Sequence, residues 1–299
     1  MKIAIVGDPH IQEYVRERSD NYLDTVLKKL EFVAKSADKV ILLGDLFSRP
    51  TNSDYLFYRV YSLMRRHEGK FMSLIGNHDI INRNYNVINK TTIGSLAKTG
   101  VLKLLTEDFT LGGKEFVVSF CERDKKEIPV DEECKKILLG HNYYEMDPSE
   151  SFTREEIARL NYDLVFLGHD HQPHEDECIG GSILVRMGSL TRKDTSMYNK
   201  DRKPCFVIYD TEVEEYHRVE IPGNIAVPAD RIFDMSVFEK KKVARAEVDY
   251  AQIGQLLEKF TKSGQGNISL DKVLRRIGTP EQCISYIKEV HDVAGLQYK

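Results

Sequence analysis

The sequence predicts an α/β fold built on layered sheets, and three observations carry that expectation. Strand-length apolar runs recur at 3–6, 40–43, 71–75, 137–139 and 164–167. Over the first hundred residues they alternate with stretches of helical periodicity, as strands joined by right-handed helical crossovers require. Further along, short β-like runs with turn signals replace the helices, which points to a sandwich or mixed sheet rather than a plain doubly wound sheet.

The first run starts almost at Met1 and turns polar at Asp8, too soon for a secretory leader, so it reads as a first strand. Leu23, Val26, Leu27, Leu30 and Val33 then fall at helical spacing over 22–34. The run at 40–43 gives a second strand, and Leu56, Val60, Leu63 and Met64 mark a helix over 55–64. A third strand follows at 71–75. From 101 to 118 the pattern is short strands and turns, with Gly112-Gly113 as a hairpin signal. The runs at 137–139 and 164–167 continue the sheet, and 182–186, 205–209 and 215–221 add three more β-like runs.

Pro222-Gly223 and Pro228 mark a break, dividing the chain into a main domain, 1–222, and a small C-terminal accessory region, 223–299. In that region a short strand is expected around 231–237, followed by helices at 249–261, 269–277 and 280–293.

The net charge of −4 supplies no global basic field, so any nucleic-acid binding must rest on a local patch. No apolar run approaches the ~20 residues of a membrane helix. Cys121, Cys134, Cys178, Cys205 and Cys283 are scattered and form no CxxC pair. This argues against a disulfide framework or cysteine zinc site and favours a reducing compartment, the cytoplasm.

One local arrangement recurs five times: an apolar run, a glycine, then a side chain able to hold a metal. It appears as Val6-Gly7-Asp8, Leu43-Gly44-Asp45, Ile75-Gly76-Asn77, Leu139-Gly140-His141 and Leu167-Gly168-His169. Ligands gather at the carboxyl ends of strands in α/β sheets, so these five residues should share a crevice. His10 and His171 each lie two positions past a ligand, on the same face of an extended segment. A single such motif is more often a loop cap or a satisfied core histidine; five in order argue for a site. Carboxylate, amide and imidazole without thiolate suit Mn, Fe or Zn, and the number of ligands suits two ions sharing a carboxylate.

Asp8-Pro9-His10, Gly44-Asp45, Gly76-Asn77-His78-Asp79, His141 and Gly168-His169-Asp170-His171 together resemble the calcineurin-like metallophosphoesterase superfamily. The resemblance implies a calcineurin-like two-sheet sandwich flanked by helices, and hydrolysis at phosphorus. It implies one ion on Asp8, His10, Asp45 and His171, and a second on Asp45, Asn77, His141 and His169. His78 is assigned to the leaving-group side, where an imidazolium can protonate the departing oxygen. Asp79 is expected to orient the His78 ring.

Gly44-Asp45-Leu46-Phe47 and Met187-Gly188-Ser189-Leu190-Thr191-Arg192 resemble the nuclease subunit of SbcCD-type repair and recombination complexes, in its compact phage-type form. That implies a Mn-dependent DNA exo- or endonuclease, with Fe, Zn and Mg as the other candidate metals. It also implies an SMC-like ATPase partner docking on the tail. Tyr55, Phe57, Tyr58 and Tyr61 sit at helical spacing, where helix packing or the face of a homodimer is expected.

The alternatives are a stand-alone phosphodiesterase or phosphatase acting on small nucleotides, and a non-catalytic metal-binding scaffold. A basic stretch, Arg186, Arg192, Lys193, Lys200, Arg202 and Lys203, follows the last ligand. Arg192 is the first choice within it for a bidentate phosphate contact. Tyr143 and Tyr144 are candidates to stack on a base. His67, His217 and His291 read as structural, and His174 as a surface residue near the mouth.

Overall fold

The computed structural model describes residues 1–119, 136–146, 151–160 and 162–247. The chain divides into two compact units, Met1–Phe233 and Asp234–Lys299.

In the first unit, β1 (Lys2–Val6), β2 (Lys39–Leu42), β3 (Phe71–Ser73) and β4 (Leu102–Leu104) pair in parallel in chain order. Helices α1 (Tyr22–Ser36), α2 (Asp54–Arg66) and α3 (Thr92–Lys98) form the crossovers. A second sheet begins with β5 (Phe109–Leu111), β6 (Lys114–Ser119) and β7 (Lys136–Gly140). The short pair β8 (Tyr143–Tyr144) and β9 (Ser151–Phe152) and helix α4 (Arg154–Leu160) come next. The sheet continues with β10 (Leu164–Leu167), β11 (Glu177–Ile179) and β12 (Ser182–Val185). After α5 (Tyr198–Asp201), β13 (Cys205–Asp210) and β14 (Glu215–Glu220) return to the first sheet. Helices α6 (Gly223–Ala226) and α7 (Ala229–Ile232) close the unit.

The first sheet runs β14-β13-β1-β2-β3-β4 and the second β11-β12-β10-β7-β6-β5. In both the central strands are parallel and the antiparallel pairs lie toward an edge. Side-chain alternation explains why the strands read as continuous apolar runs. Ile3, Ile5, Ile41 and Leu43 join Phe116, Ile137, Leu139 and Phe166 between the sheets. Their neighbours Ala4, Val6, Val40 and Leu42 pack outward on Leu23, Val26, Leu30, Leu56, Val60 and Leu96 of the helices. Val117, Leu138, Val165 and Leu184 do the same with Ile157 of α4. The order is helices, sheet, sheet, helix, the expected sandwich, and each fully buried aliphatic side chain contributes about 1.5–3 kcal/mol.

Local chemistry starts the helices where the sequence suggests. Asn21 caps α1 by accepting from Asp24 N at 3.0 Å, and Ser53 caps α2 by accepting from Leu56 N at 3.1 Å. The buried face of α2 is Leu56, Val60, Leu63 and Met64. Tyr55 and Tyr58 are 54% and 64% exposed, while Phe57 and Tyr61 stack on each other at 6.1 Å and pack against the core. Gly112 and Gly113, both at positive φ, make the turn between β5 and β6.

One element differs from expectation. No strand forms around 231–237: α7 follows Pro228, and α8 (Met235–Glu247) follows Asp234, whose Oδ1 accepts from Ser236 N at 2.9 Å. A fixed proline φ and an Asp cap both start helices, and here they override the short apolar run. In the second unit α8 is the described part. The helices expected at 249–261, 269–277 and 280–293, with His291 and Cys283, lie outside the described residues, as do Cys121 and Cys134. Cys178 and Cys205 are free thiols.

Candidate metal centre

Every ligand predicted from the glycine motif follows the carboxyl end of a parallel strand. Asp8 and His10 follow β1, Asp45 follows β2, Asn77 follows β3, His141 follows β7, and His169 and His171 follow β10. The two sheets bring their carboxyl edges together there.

The glycines have a steric reason. A Cβ on Gly76 would collide with the backbone nitrogen and carboxylate of Asp45. One on Gly44, which sits at φ +100°, would lie 2.6 Å from His141 Nδ1. Asp45 and His141 therefore each pack over a neighbouring strand's glycine, as Asp8 does over Gly168.

Asp8, His10, Asp45 and His169 have φ of 35°, 46°, 46° and 79°, a left-handed conformation that costs energy for residues with a Cβ. Hydrogen bonds hold it. Ser189 Oγ donates to Asp8 O at 2.7 Å, and Tyr22 Oη and Ser48 Oγ donate to His10 O at 3.1 and 3.0 Å. His169 N donates to the Asp8 carboxylate at 3.0 and 3.1 Å, and His78 N to Asp45 Oδ1 at 2.9 Å.

Two ligand clusters result, Asp8/His10/Asp45/His171 and Asp45/His141/His169, with Asp45 common to both and the donor atoms of each within 4.8 Å of one another. Asn77 joins the second through Oδ1, 3.1 Å from His141 Nε2. His10 Nε2 and His171 Nε2 face each other at 2.7 Å. The deciding atom is Asp45 Oδ2. It is buried without a hydrogen-bond donor and lies 3.4 Å from both His10 Nε2 and His141 Nε2, one in each cluster. A carboxylate oxygen so placed fits a ligand shared by two cations.

The electrostatics of three of the histidines agree with a ligand set. Burial pushes His10 well below the usual histidine range. Burial, with His141 nearby, lowers His169 to about 3, and burial with Lys193 lowers His171 to about 4. These rings are neutral at physiological pH and keep a lone pair for a metal. Burial opposes ionisation of Asp45, but His141 and His10 hold it below the ordinary carboxylate range. Burial pushes Asp8 up to about 7 against the pull of His141. Burial works against a charged His141 too, yet Asp45 and Asp8 hold it up at about 9. His141 Nδ1 bonds Leu43 O at 2.8 Å, which directs Nε2 to the site.

The residues expected around the ligands divide. His78 is exposed at the mouth, its ring 5.0 Å from that of His10 and its Nδ1 3.2 Å from Ser48 O. Asp79 does not orient that ring. It is fully buried and accepts from Leu46 N, Phe47 N and Gly76 N at 3.2, 3.0 and 3.0 Å, tying the Asp45 loop to the Asn77 turn. Burial and the Asp45 charge push its carboxyl up to about 7, against those three donors.

Arg192 is not presented to a phosphate. It is 4% exposed and its Nη2 donates to Ala226 O at 3.0 Å and to Val227 O. Tyr143 lies on the ligand His169, ring centroids 3.9 Å apart. The Arg186 guanidinium covers the Tyr144 ring at 4.8 Å. His174 Nε2 pairs with Asp170 at 2.7 Å, and His67 with Glu31 at 3.1 Å, the latter remote from the ligands.

Sequence patterns gave no sign that Tyr22 and Ser48 support the ligand backbone, and marked Ser189 only as part of the Met187–Arg192 motif. A serine directly after Gly188 carries no local signal of that role.

The calcineurin-like phosphoesterase family model matches residues 1–173. Among solved structures, TT1561 of Thermus thermophilus is 14% identical, with 74% of this chain and 99% of that chain covered and a TM-score of 0.46. A novel archaeal phosphodiesterase is 15% identical over 74% of this chain and 100% of its own, with a TM-score of 0.41. Zinc-complexed Vps29 from Entamoeba histolytica is 14% identical over 74% and 99%, with a TM-score of 0.36. No curated protein matches the chain. The family match spans most of the first unit and includes all seven ligand positions, and on it the chain belongs to the calcineurin-like phosphoesterase family.

Proposed function

We propose that the chain is a Mn-dependent DNA nuclease of recombination or repair, hydrolysing phosphodiesters at the shared-carboxylate centre. The observation that carries the hydrolytic part is Asp45 Oδ2, placed between two ligand clusters with His78 open at their mouth. Two divalent ions bound there would supply Lewis acidity that activates water and stabilises charge on the phosphoryl oxygens. Asp8, His10, Asp45 and His171 would hold one, and Asp45, Asn77, His141 and His169 the other.

His78 is held by its backbone N–H on Asp45 and by its ring on Ser48 O, so its free edge faces the approaching ester. From there it donates a proton to the departing oxygen. DNA as substrate is supported by the Gly188–Arg192 segment, which resembles that of SbcCD-type nucleases and underlies the Asp8 loop through Ser189 and the His10 loop through Tyr22, which also bonds Thr191. An SMC-like ATPase is the partner proposed for the tail, and a pulldown with and without residues 249–299 tests it.

Cleavage of labelled single- and double-stranded DNA, with Mn, Mg or EDTA, tests the reading beside small phosphodiesters and phosphomonoesters. The expected result is Mn-dependent DNA cleavage, reduced ~100-fold or more in His78→Ala with metal content unchanged. Turnover of small nucleotides with DNA left intact, even with the ATPase present, favours the stand-alone phosphodiesterase instead.

A further inference from the structure

Residues 186–189 run alongside the loop that carries His171. Arg186 O accepts from His174 N at 3.0 Å, and Ser189 N donates to His171 O at 3.1 Å. Arg186 follows β12, which pairs in parallel with β10, the strand that leads to His169, with Val185 opposite Phe166. Its backbone is thus fixed at the carboxyl edge that carries the ligands. Alternation along β12 sets the direction of the side chain. Val185 packs between the sheets and Leu184 outward with Ile157, so Arg186 stands on the outer side. Tyr144 packs on that same outer cluster, and the Arg186 guanidinium lies over its ring, 4.8 Å from the centroid. The adjacent Tyr143 has its ring 3.9 Å from that of His169. Arg186 therefore sits at the outer rim of the centre, on the His169 side, rather than in the crevice between the sheets.

The guanidinium has no acceptor there. Its Nε is buried without a hydrogen-bond partner, and the half-buried side chain forms no ion pair among the described residues. Two carboxylates are close through its neighbours, and both are taken. Asp170 Oδ2 pairs with His174 Nε2 at 2.7 Å, and its Oδ1 accepts from Gln172 N at 3.0 Å. Glu177 pairs with Arg154 Nη1, and its Oε1 accepts from Tyr144 Oη at 3.4 Å. A partly desolvated guanidinium left unpaired between engaged acids calls for an anion from outside the chain. Stacking on Tyr144 occupies one face of the guanidinium and leaves its edge donors for the bidentate contact that a phosphate offers. The same contact makes Tyr144 a support for the cation rather than a platform for a base.

We propose that Arg186, seated on Tyr144, binds a second phosphate of the substrate, the one next to the scissile phosphate in a nucleic-acid strand. Its rim position lies beyond an ester held at the ligands, and it is the cation that Arg192, turned away, does not supply. The assignment rests on the nuclease reading and narrows it to substrates that carry a further phosphate along the strand.

The test compares wild type, Arg186→Ala and Arg186→Lys. Lys35→Ala, in the last turn of α1 before β2 and so away from the carboxyl edge, is the charge control. KM and kcat are measured with Mn for a single-stranded oligonucleotide and for a small phosphodiester that has one phosphate, and metal analysis gives Mn content. Oligonucleotide binding is followed by fluorescence anisotropy over a salt series in Mn-loaded protein carrying His78→Ala, so that the strand stays uncut. Losing a charged contact should raise the oligonucleotide KM ~10–100-fold in Arg186→Ala, and raise that of the small ester roughly tenfold less. The slope of log affinity against log salt should become shallower by ~0.7, the share of one single-strand phosphate. Arg186→Lys should keep the slope and recover part of the affinity, Lys35→Ala should match wild type, and Mn content should hold throughout. Equal losses for the two substrates overturn the assignment, as do an unchanged salt slope, a loss of Mn in Arg186→Ala or an equal loss in Lys35→Ala. Failure of the parent protein to bind the strand overturns it too, and turnover of the small ester then leaves the hydrolase reading standing. If the strand binds through Arg186 yet wild type cleaves no ester, the hydrolase reading fails and the rim phosphate site stands.

Discussion

Replacing Gly44 with alanine should damage the metal centre far more than a glycine-to-alanine change elsewhere. Gly44 sits at φ +100°, so the strain alone costs roughly 1–2 kcal/mol. The new Cβ would also lie 2.6 Å from Nδ1 and 2.9 Å from Cγ of His141, where ordinary contact needs about 3.5–4.0 Å. The ring must move by roughly 1 Å, which adds about 1–3 kcal/mol of overpacking and lost hydrogen bonding to Leu43 O. Gly69 is the control: its φ is +73°, and a Cβ there meets nothing within 4 Å. At about 2–4 °C per kcal/mol, Gly44→Ala should lower Tm by roughly 4–20 °C and Gly69→Ala by roughly 2–8 °C. Thermal unfolding reads the first difference, and a Mn isotherm reads the second, an affinity ~10–100-fold weaker in Gly44→Ala only. Equal Tm losses with unaltered Mn binding in both variants would refute the claim that Gly44 is there to seat His141.

Asp79→Ala leaves the buried N–H groups of Leu46, Phe47 and Gly76 unpaired, at roughly 1–3 kcal/mol each, which is comparable to a domain's whole stability of about 5–15 kcal/mol. The protein should unfold or lose its metal, as denaturant titration and metal analysis would show; a stable, metal-loaded variant impaired only in turnover would restore the ring-orienting role. For Glu31, partial burial opposes ionisation, but Arg66, Lys35 and His67 hold its carboxyl down at about 2 from 4.5. A depressed carboxyl stabilises fully above 4.5 and loses that contribution as pH falls through about 2. Because the group is largely solvated, the gap between wild type and Glu31→Gln should be about 1 kcal/mol or less at neutral pH and should close on acidification. A gap that widens on acidification, in urea titrations, contradicts the sign.

That these residues gather was readable because five of the expected ligands each follow a strand and a glycine, with His10 and His171 two residues beyond one, a signal confined to a few neighbouring residues. The two-sheet sandwich was readable for a similar reason, since runs such as Ile3-Ala4-Ile5-Val6 are apolar on both faces and must be covered on both. What failed depended on the direction of adjacent side chains. In the tight turn Asn77–Asp79, His78 points to solvent and Asp79 into the fold, so neighbours in sequence do not meet. Arg192 shows a related effect: it reads as a basic residue open to substrate, but the carbonyls of Ala226 and Val227 capture it. Those acceptors lie 34 and 35 residues away, beyond the reach of any local pattern.

Whether Asp45 is shared by two ion sites can be read from metal stoichiometry. Mn would be counted per chain in wild type, Asp45→Asn, His171→Ala and His169→Ala, with folding checked by circular dichroism. The clusters predict two ions in wild type, severe loss of both in Asp45→Asn, and preferential loss of a different single ion in each histidine variant. One ion at saturating Mn in wild type, or two retained in Asp45→Asn, would contradict the shared-carboxylate centre.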